Sequence, residues 1–229
     1  GSSYDLEMGF MKLVWGKGDQ FHVVDLVNSN DYSDFYNPDY IERRNAVPMT
    51  KLNLYVGQQG KLELVYVPTL TPDTVPTEGV WAPQEALAAA GIAERYVSYL
   101  AAQAYTAAGG GTPGAAGSIA ATSLLSTYSD PENLYPDTDS LEYSQAAVRF
   151  TNSFAGLDLG AMYYYGFRTQ PSVQAEFADP LDPTSNVTGL DIDYDRLQVV
   201  GLEAGAAPAG FNLRAEAAYY LTEDYEGDA

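Results

Sequence analysis

Four stretches between Leu141 and Leu221 alternate apolar and polar residues with a period of two, and they constrain the chain more than any other feature. Leu141–Phe154 and Leu157–Phe167 are joined by Ala155–Gly156, and Tyr194–Ala206 and Phe211–Leu221 by Ala207–Gly210. Ala146, Val148 and Phe150 fall on one face, opposite Gln145, Arg149 and Thr151. Val200, Leu202 and Ala204 oppose Gly201, Glu203 and Gly205; Leu213, Ala215 and Ala217 oppose Arg214 and Glu216. A slip of one residue would exchange the faces, so such runs specify two antiparallel hairpins with one apolar and one polar side. Runs of about 10–14 residues have the length of tilted strands that cross a bilayer. Small apolar residues and Tyr on one face, with charge on the other, are the pattern of a membrane β-barrel. On a soluble sheet the charged positions are simply the solvated face, and alternation alone fits both.

Three further strands precede these hairpins. Tyr4–Trp15 alternates as far as Phe10, after which Met11, Leu13 and Trp15 carry apolar residues to the other face; a bulge there or an exit from the lipid zone accounts for this. Thr50–Gly57 and Lys61–Pro68 form a hairpin about Gln58–Gln59–Gly60. Long connections fill the rest. Gly16–Met49 holds turn formers, among them Asp34 and Pro38, the single histidine His22, and Arg43–Arg44. Thr69–Ser140 contains an Ala-rich helix, Gln84–Ala107, stopped by Gly109–Gly111 and followed by a Gly-rich run, 109–117, of flexible composition. Arg168–Asp193, with Pro171, Pro180 and Pro183, reads as a third loop. The connections run long, short, long, short, long, short, as in an up-and-down barrel with tight turns on one rim and long loops on the other. The expected fold is therefore all-β: part of an antiparallel up-and-down transmembrane β-barrel spanning 1–229, about seven strands, with a helical insertion at 84–108. The odd strand count, and an acidic C-terminal stretch Glu223–Ala229 lacking a terminal aromatic, lead us to expect a fragment.

Composition narrows the function. No apolar run reaches the length of a membrane-spanning helix. The absence of cysteine removes disulfides and thiolate metal sites. With 31 acidic against 11 scattered basic residues, the net charge is −20, and nucleic acid is not an expected partner. The 19 tyrosines suit interfacial girdles, and equally a soluble glycan-binding β-protein.

Chemistry finds little support. His22 has no nucleophile elbow near it, so a hydrolase is not expected. Asp179, Asp182, Asp191, Asp193 and Asp195, and the group Asp130, Glu132, Asp137 and Asp139, suit hard cations by type. However, Arg196 stands where a calcium loop starting at Asp191 needs Gly, and Leu202 where it needs a closing Glu, so solvated loops are expected, with no metal and no cofactor. An Arg on a lipid face at mid-membrane costs about 2–4 kcal/mol. Lys51, Glu63, Arg149, Glu203, Arg214 and Glu216 are accordingly candidate pore-lining residues, with Arg43 and Arg44 on a loop folding inward.

The segments LVWGKGDQFHVVDLVNSNDYSDF, RRNAVPMTKLNLYVGQQGKLELVYVPTLTPDTVP, AAVRFTNSFAGLDLGAMYYYGF and NLRAEAAY, in that order, resemble the Gram-negative outer-membrane proteins of the domain-of-unknown-function 1302 family. The matching features are Trp15–Gly16, Asp25 with Asn28 and Asp31–Tyr32, Pro48–Met49, Val148–Arg149–Phe150, and Leu213–Arg214–Ala215–Glu216. The segments cover roughly half the chain, and the Ala-rich insertion at 84–117 departs from the family. The resemblance implies a porin-like channel or transporter in the outer membrane, akin to channels for hydrophobic compounds. Its surroundings would be outer-membrane lipid and lipopolysaccharide, and its partner a small-molecule solute. The alternatives are a structural or adhesive barrel without transport, and the soluble glycan binder.

Overall fold

The computed structural model describes residues 3–18, 22–33, 39–76, 79–112, 114–128 and 131–222. Asp34, Pro38, Asp130 and Glu223–Ala229, named above, lie outside them. The chain divides into two units: Gly1–Thr74, Thr138–Gln170 and Tyr194–Ala229 form one, and Val75–Asp137 with Pro171–Asp193 the other.

The first unit is a seven-stranded antiparallel sheet. Its strands are β1 (Tyr4–Met11), β2 (Val47–Val56), β3 (Gly60–Val67), β4 (Gln145–Phe154), β5 (Leu157–Phe167), β8 (Arg196–Ala206) and β9 (Leu213–Thr222), hydrogen-bonded in that order. The mostly antiparallel β architecture and the expected hairpins are present. The β4–β5 turn places Ala155 and Gly156 at φ 52° and 80°, the two positive values a two-residue hairpin turn requires. Some boundaries move. Leu141–Tyr143 forms a 3-10 turn before β4, and β1 stops at Met11. The broken alternation after Phe10 marks the chain leaving the sheet: Leu13 and Trp15 are buried in the connection that follows. Among the described residues the sheet stays open, with β1 and β9 as its edges.

The sheet is nevertheless strongly curled. If it were flat, the six gaps between its seven strands would hold β1 and β9 about 29 Å apart. Yet the backbone N–H of Lys17, a few residues past the end of β1, reaches the Glu216 carboxylate on β9. The intervening chain spans about 20 Å at full stretch, which falls short even with the Glu216 side chain added. The contact forms only because the two edges bend toward each other.

The curl gives the sheet an inner and an outer face. Directly paired residues Tyr4, Leu54, Leu62, Phe150, Ala161, Leu202 and Ala217 form one row across all seven strands of the outer face. Leu6, Leu52, Leu64, Val148, Tyr163, Val200 and Tyr219 form the next. Many of these are exposed, Leu6 and Leu202 at 58% and Tyr219 at 59%. The inner face is zoned along the strands. Toward the long connections it is apolar and buried: Met49, Val65, Val67, Ala147, Met162, Tyr164, Leu197 and Val199. Toward the short turns it carries Lys61, Glu63, Arg149, Thr151, Asp158 and Glu203.

In the second unit, α1 (Gln84–Ala107) has the expected bounds. A second helix, α2 (Ala116–Thr127), packs on it, with Gly117 so close that a Cβ would come within 2.6 Å of the Tyr105 carbonyl oxygen. The stretch read as a third loop contains a hairpin, β6 (Ser172–Phe177) and β7 (Val187–Asp193). Its prolines do not oppose this, because Pro171 precedes β6 while Pro180 and Pro183 lie in the connection. Arg95 of α1 donates to the carbonyls of Pro183 (3.0 Å) and Ser185 and lies over the Phe177 ring.

The apolar half of the inner face is covered by the β1–β2 connection, whose Leu13, Trp15, Val24 and Val27 join the sheet's core. Gly201 of β8 makes room for this layer: a Cβ there would stand 2.6 Å from Val24 Cγ1 and 2.8 Å from Met162 Cγ. Overpacking of this kind costs about 1–3 kcal/mol. Gly201→Ala is therefore expected to lower the unfolding free energy by that amount, read as a lower urea midpoint at unchanged m-value. Adding Val24→Ala should cost less in that background than in the wild type, a coupling that a double-mutant cycle reads directly.

Candidate functional site

The β1–β2 connection is wired internally before it meets the sheet. Buried Asn28 accepts from the Leu13 N–H at 2.8 Å and donates to the carbonyls of Met11 (2.9 Å) and Asn45 (2.8 Å), so one side chain ties the two ends of the connection together. Arg44 is the second tie. It donates to the Leu13 carbonyl at 2.9 Å and forms an ion pair with Asp25 at 2.7 Å, both side chains almost wholly buried. Tyr40 donates to Asp25 at 2.7 Å, accepts from Arg44, and stacks on the His22 ring at 4.2 Å. Burial pushes the Asp25 carboxyl above its ordinary range, against the opposing pull of Arg44 and the Tyr40 hydroxyl. Burial also raises Tyr40, reinforced by its bond to Asp25, and so keeps the phenol neutral.

On the polar half of the inner face, Arg149 of β4 bridges two carboxylates. It meets Glu63 of β3 at 3.0 Å and Glu203 of β8 at 2.7 Å. Lys61 adds a bond to Glu63 at 3.1 Å, and the Arg149 guanidinium lies 5.9 Å from the Trp15 ring centroid. The pairing follows from register. Glu63 stands opposite Arg149, and Glu203 is paired with Gly160, one strand farther on. Gly160 has no side chain to separate them; a Cβ there would come within 2.3 Å of Glu203 Oε1. Beside this triad opens a recess of about 240 Å3, lined by Lys17, Lys61, Arg149, Thr151, Asp158 and Glu203 among others. Lys17 and Asp158 pair across it at 3.4 Å.

The candidate residues thus separate into groups. Glu63, Arg149 and Glu203 come together, with Lys61, which the sequence reading omitted, as a fourth member. Lys51 lies apart, paired with Glu7 of β1 at 3.0 Å. Glu216 and Arg214, on β9, meet the β1–β2 connection: Glu216 accepts from its backbone N–H groups and Arg214 donates to the Lys17 carbonyl. Arg43 lies over the Tyr32 ring, and Arg44 is sealed in its pair with Asp25. Trp15, Asp25 and Asn28 were not singled out as site residues. The signal for Trp15 was the broken alternation around it; those for Asp25 and Asn28 are tertiary. Among the described residues, no three His, Asp or Glu side chains converge as a metal-ligand set.

Comparison of the chain with protein-family models, with curated proteins and with solved structures gives no match.

The chemistry of this inner face is electrostatic: a fixed line of alternating charge in a partly desolvated groove. Removing one partner from a buried ion network costs about 3–5 kcal/mol, because the remaining charge is left uncompensated. Arg149→Met is therefore expected to destabilise the fold by about that much, whereas the triple change Glu63→Gln, Arg149→Met and Glu203→Gln recovers most of the loss. Urea unfolding of the purified proteins measures both.

Proposed function

We propose that the seven-stranded sheet is wall of an outer-membrane β-barrel, and that its inner face forms the route of a passive, porin-like channel for small solutes. The observation that carries this is the outer face: two unbroken rows of apolar residues cross all seven strands, and much of that surface is exposed. A soluble protein rarely exposes an apolar area of this extent. On β5, the outward residues Leu157, Leu159, Ala161, Tyr163 and Tyr165 cover about 27 Å along the strand. Tilted by about 40°, that is a band about 21 Å tall, close to the height of an outer-membrane apolar belt. The three short turns share one rim and the three long connections the other, and the inward side carries the charge. A wall in lipid leaves no strand edge unpaired, so the reading requires β1 and β9 to pair beyond the contacts described. The resemblance to outer-membrane proteins of the domain-of-unknown-function 1302 family points the same way.

A second reading, a structural or adhesive barrel without transport, draws on one observation. Leu13, Trp15, Val24 and Val27 fill the apolar half of the inner face and narrow any route along it. The two readings differ in conductance. Reconstituted in planar bilayers, the full-length protein is expected to give discrete conductance steps, larger when residues 17–43 are replaced by a short Gly-Ser link. Insertion without conductance or solute uptake, in both forms, would leave the structural barrel. Failure to enter lipid would overturn both.

A further inference from the structure

Lys17, Gly18 and Val23 direct their backbone N–H groups at one side chain. Lys17 and Gly18 donate to Oε1 of Glu216, and Val23 donates to Oε2 at 3.0 Å. Gly16 makes the close approach possible: its φ is +99°, and a Cβ there would stand 2.5 Å from Glu216 Oε1. The Tyr220 hydroxyl donates to the Val23 carbonyl at 2.5 Å, holding Val23 to the same strand. Backbone N–H groups that converge on one point, here two adjacent ones and a third from Val23, make a site for an anion. Here the anion is a carboxylate carried by the opposite edge of the sheet.

We propose that the backbone N–H groups of Lys17, Gly18 and Val23 form a carboxylate receptor that Glu216 occupies in cis, and that a small external carboxylate takes its place when Glu216 is removed or displaced. Three donors shared between two oxygens match a carboxylate, and chloride or a neutral amide would satisfy them less well. A tethered occupant has a high effective concentration, so the intact protein takes external carboxylate poorly. Exchange would free the connection from β9 while its apolar residues still cover the sheet. Any part this plays in solute passage rests on the channel reading; the binding does not, and the experiment reads binding alone.

The probe is sodium acetate, with sodium chloride and acetamide as controls, on the full-length protein refolded in detergent. The readout is tryptic cleavage after Lys17, which is mostly covered in the intact protein. Glu216→Ala is expected to speed that cleavage by about tenfold through local opening. Roughly 100 mM acetate, well above the millimolar affinity of a weak anion site, should restore most of the protection, while the controls at equal concentration should not. Cleavage of the variant at the wild-type rate, cleavage that acetate leaves unchanged, or equal rescue by chloride would each overturn the proposal. Should Glu216→Ala fail to fold, Glu216→Gln keeps the shape and loses one acceptor. Intermediate cleavage, slowed by acetate, then supports the receptor, and wild-type protection without acetate dependence overturns it.

Discussion

The burial of Leu13, Trp15, Val24 and Val27 against the inner face is the interaction on which the other features depend. A curled sheet with one apolar zone inside must fill that zone or leave it wet, and these four side chains fill it. Their positions explain the rest. Val24 sits over Gly201 because any side chain there would collide with it. With Trp15 buried in that zone, the next residues of the connection reach β9, where the N–H groups of Lys17 and Gly18 meet Glu216. Asn28 and Arg44 pin the ends of the connection to each other and so hold Leu13, Trp15, Val24 and Val27 in place against the sheet.

Charge on the inner face works under the same constraint. Glu63 and Glu203 are almost wholly buried, and neither would tolerate burial alone. Arg149 suits the place between them because its rigid planar guanidinium offers Nη1 to one carboxylate and Nη2 to the other in a fixed geometry. Such a triad contributes little net stability compared with a well-packed apolar substitute. Here it joins three strands, β3, β4 and β8, across Gly160 of β5, and it penalises any register that separates the charges.

Much of the sheet was legible in the sequence because its determinants are local. Period-two alternation and short turns located β2 to β5, β8 and β9 to within a few residues, and the succession of long and short connections gave their order. The second helix and the β6–β7 hairpin were missed for local reasons too. Gly109–Gly111 and the three prolines were read as governing whole segments when they act only at boundaries. The site was less legible. That Glu63, Arg149 and Glu203 face inward follows from alternation. That they touch follows from the register of four strands, which no single segment encodes. Arg44 was expected on an inward-folding loop; its partner Asp25 and its ties to Leu13 and Tyr40 arise only once the connection closes on itself. Met11, Leu13 and Trp15 broke the pattern because they belong to a different surface.

The central claim is that the outer face meets lipid while the polar inner face meets water. The chain lacks cysteine, so single nitroxide labels can be placed without background. Labels at Phe150, Val200 and Leu202 on the outer face, and at Lys61 and Thr151 on the inner, are read in reconstituted bilayers for collision with oxygen and with a water-soluble nickel chelate. The account predicts oxygen-dominated relaxation at the three outward positions and nickel-dominated relaxation at the two inward ones. Nickel access at Val200 and Leu202 equal to that at Thr151 would contradict it.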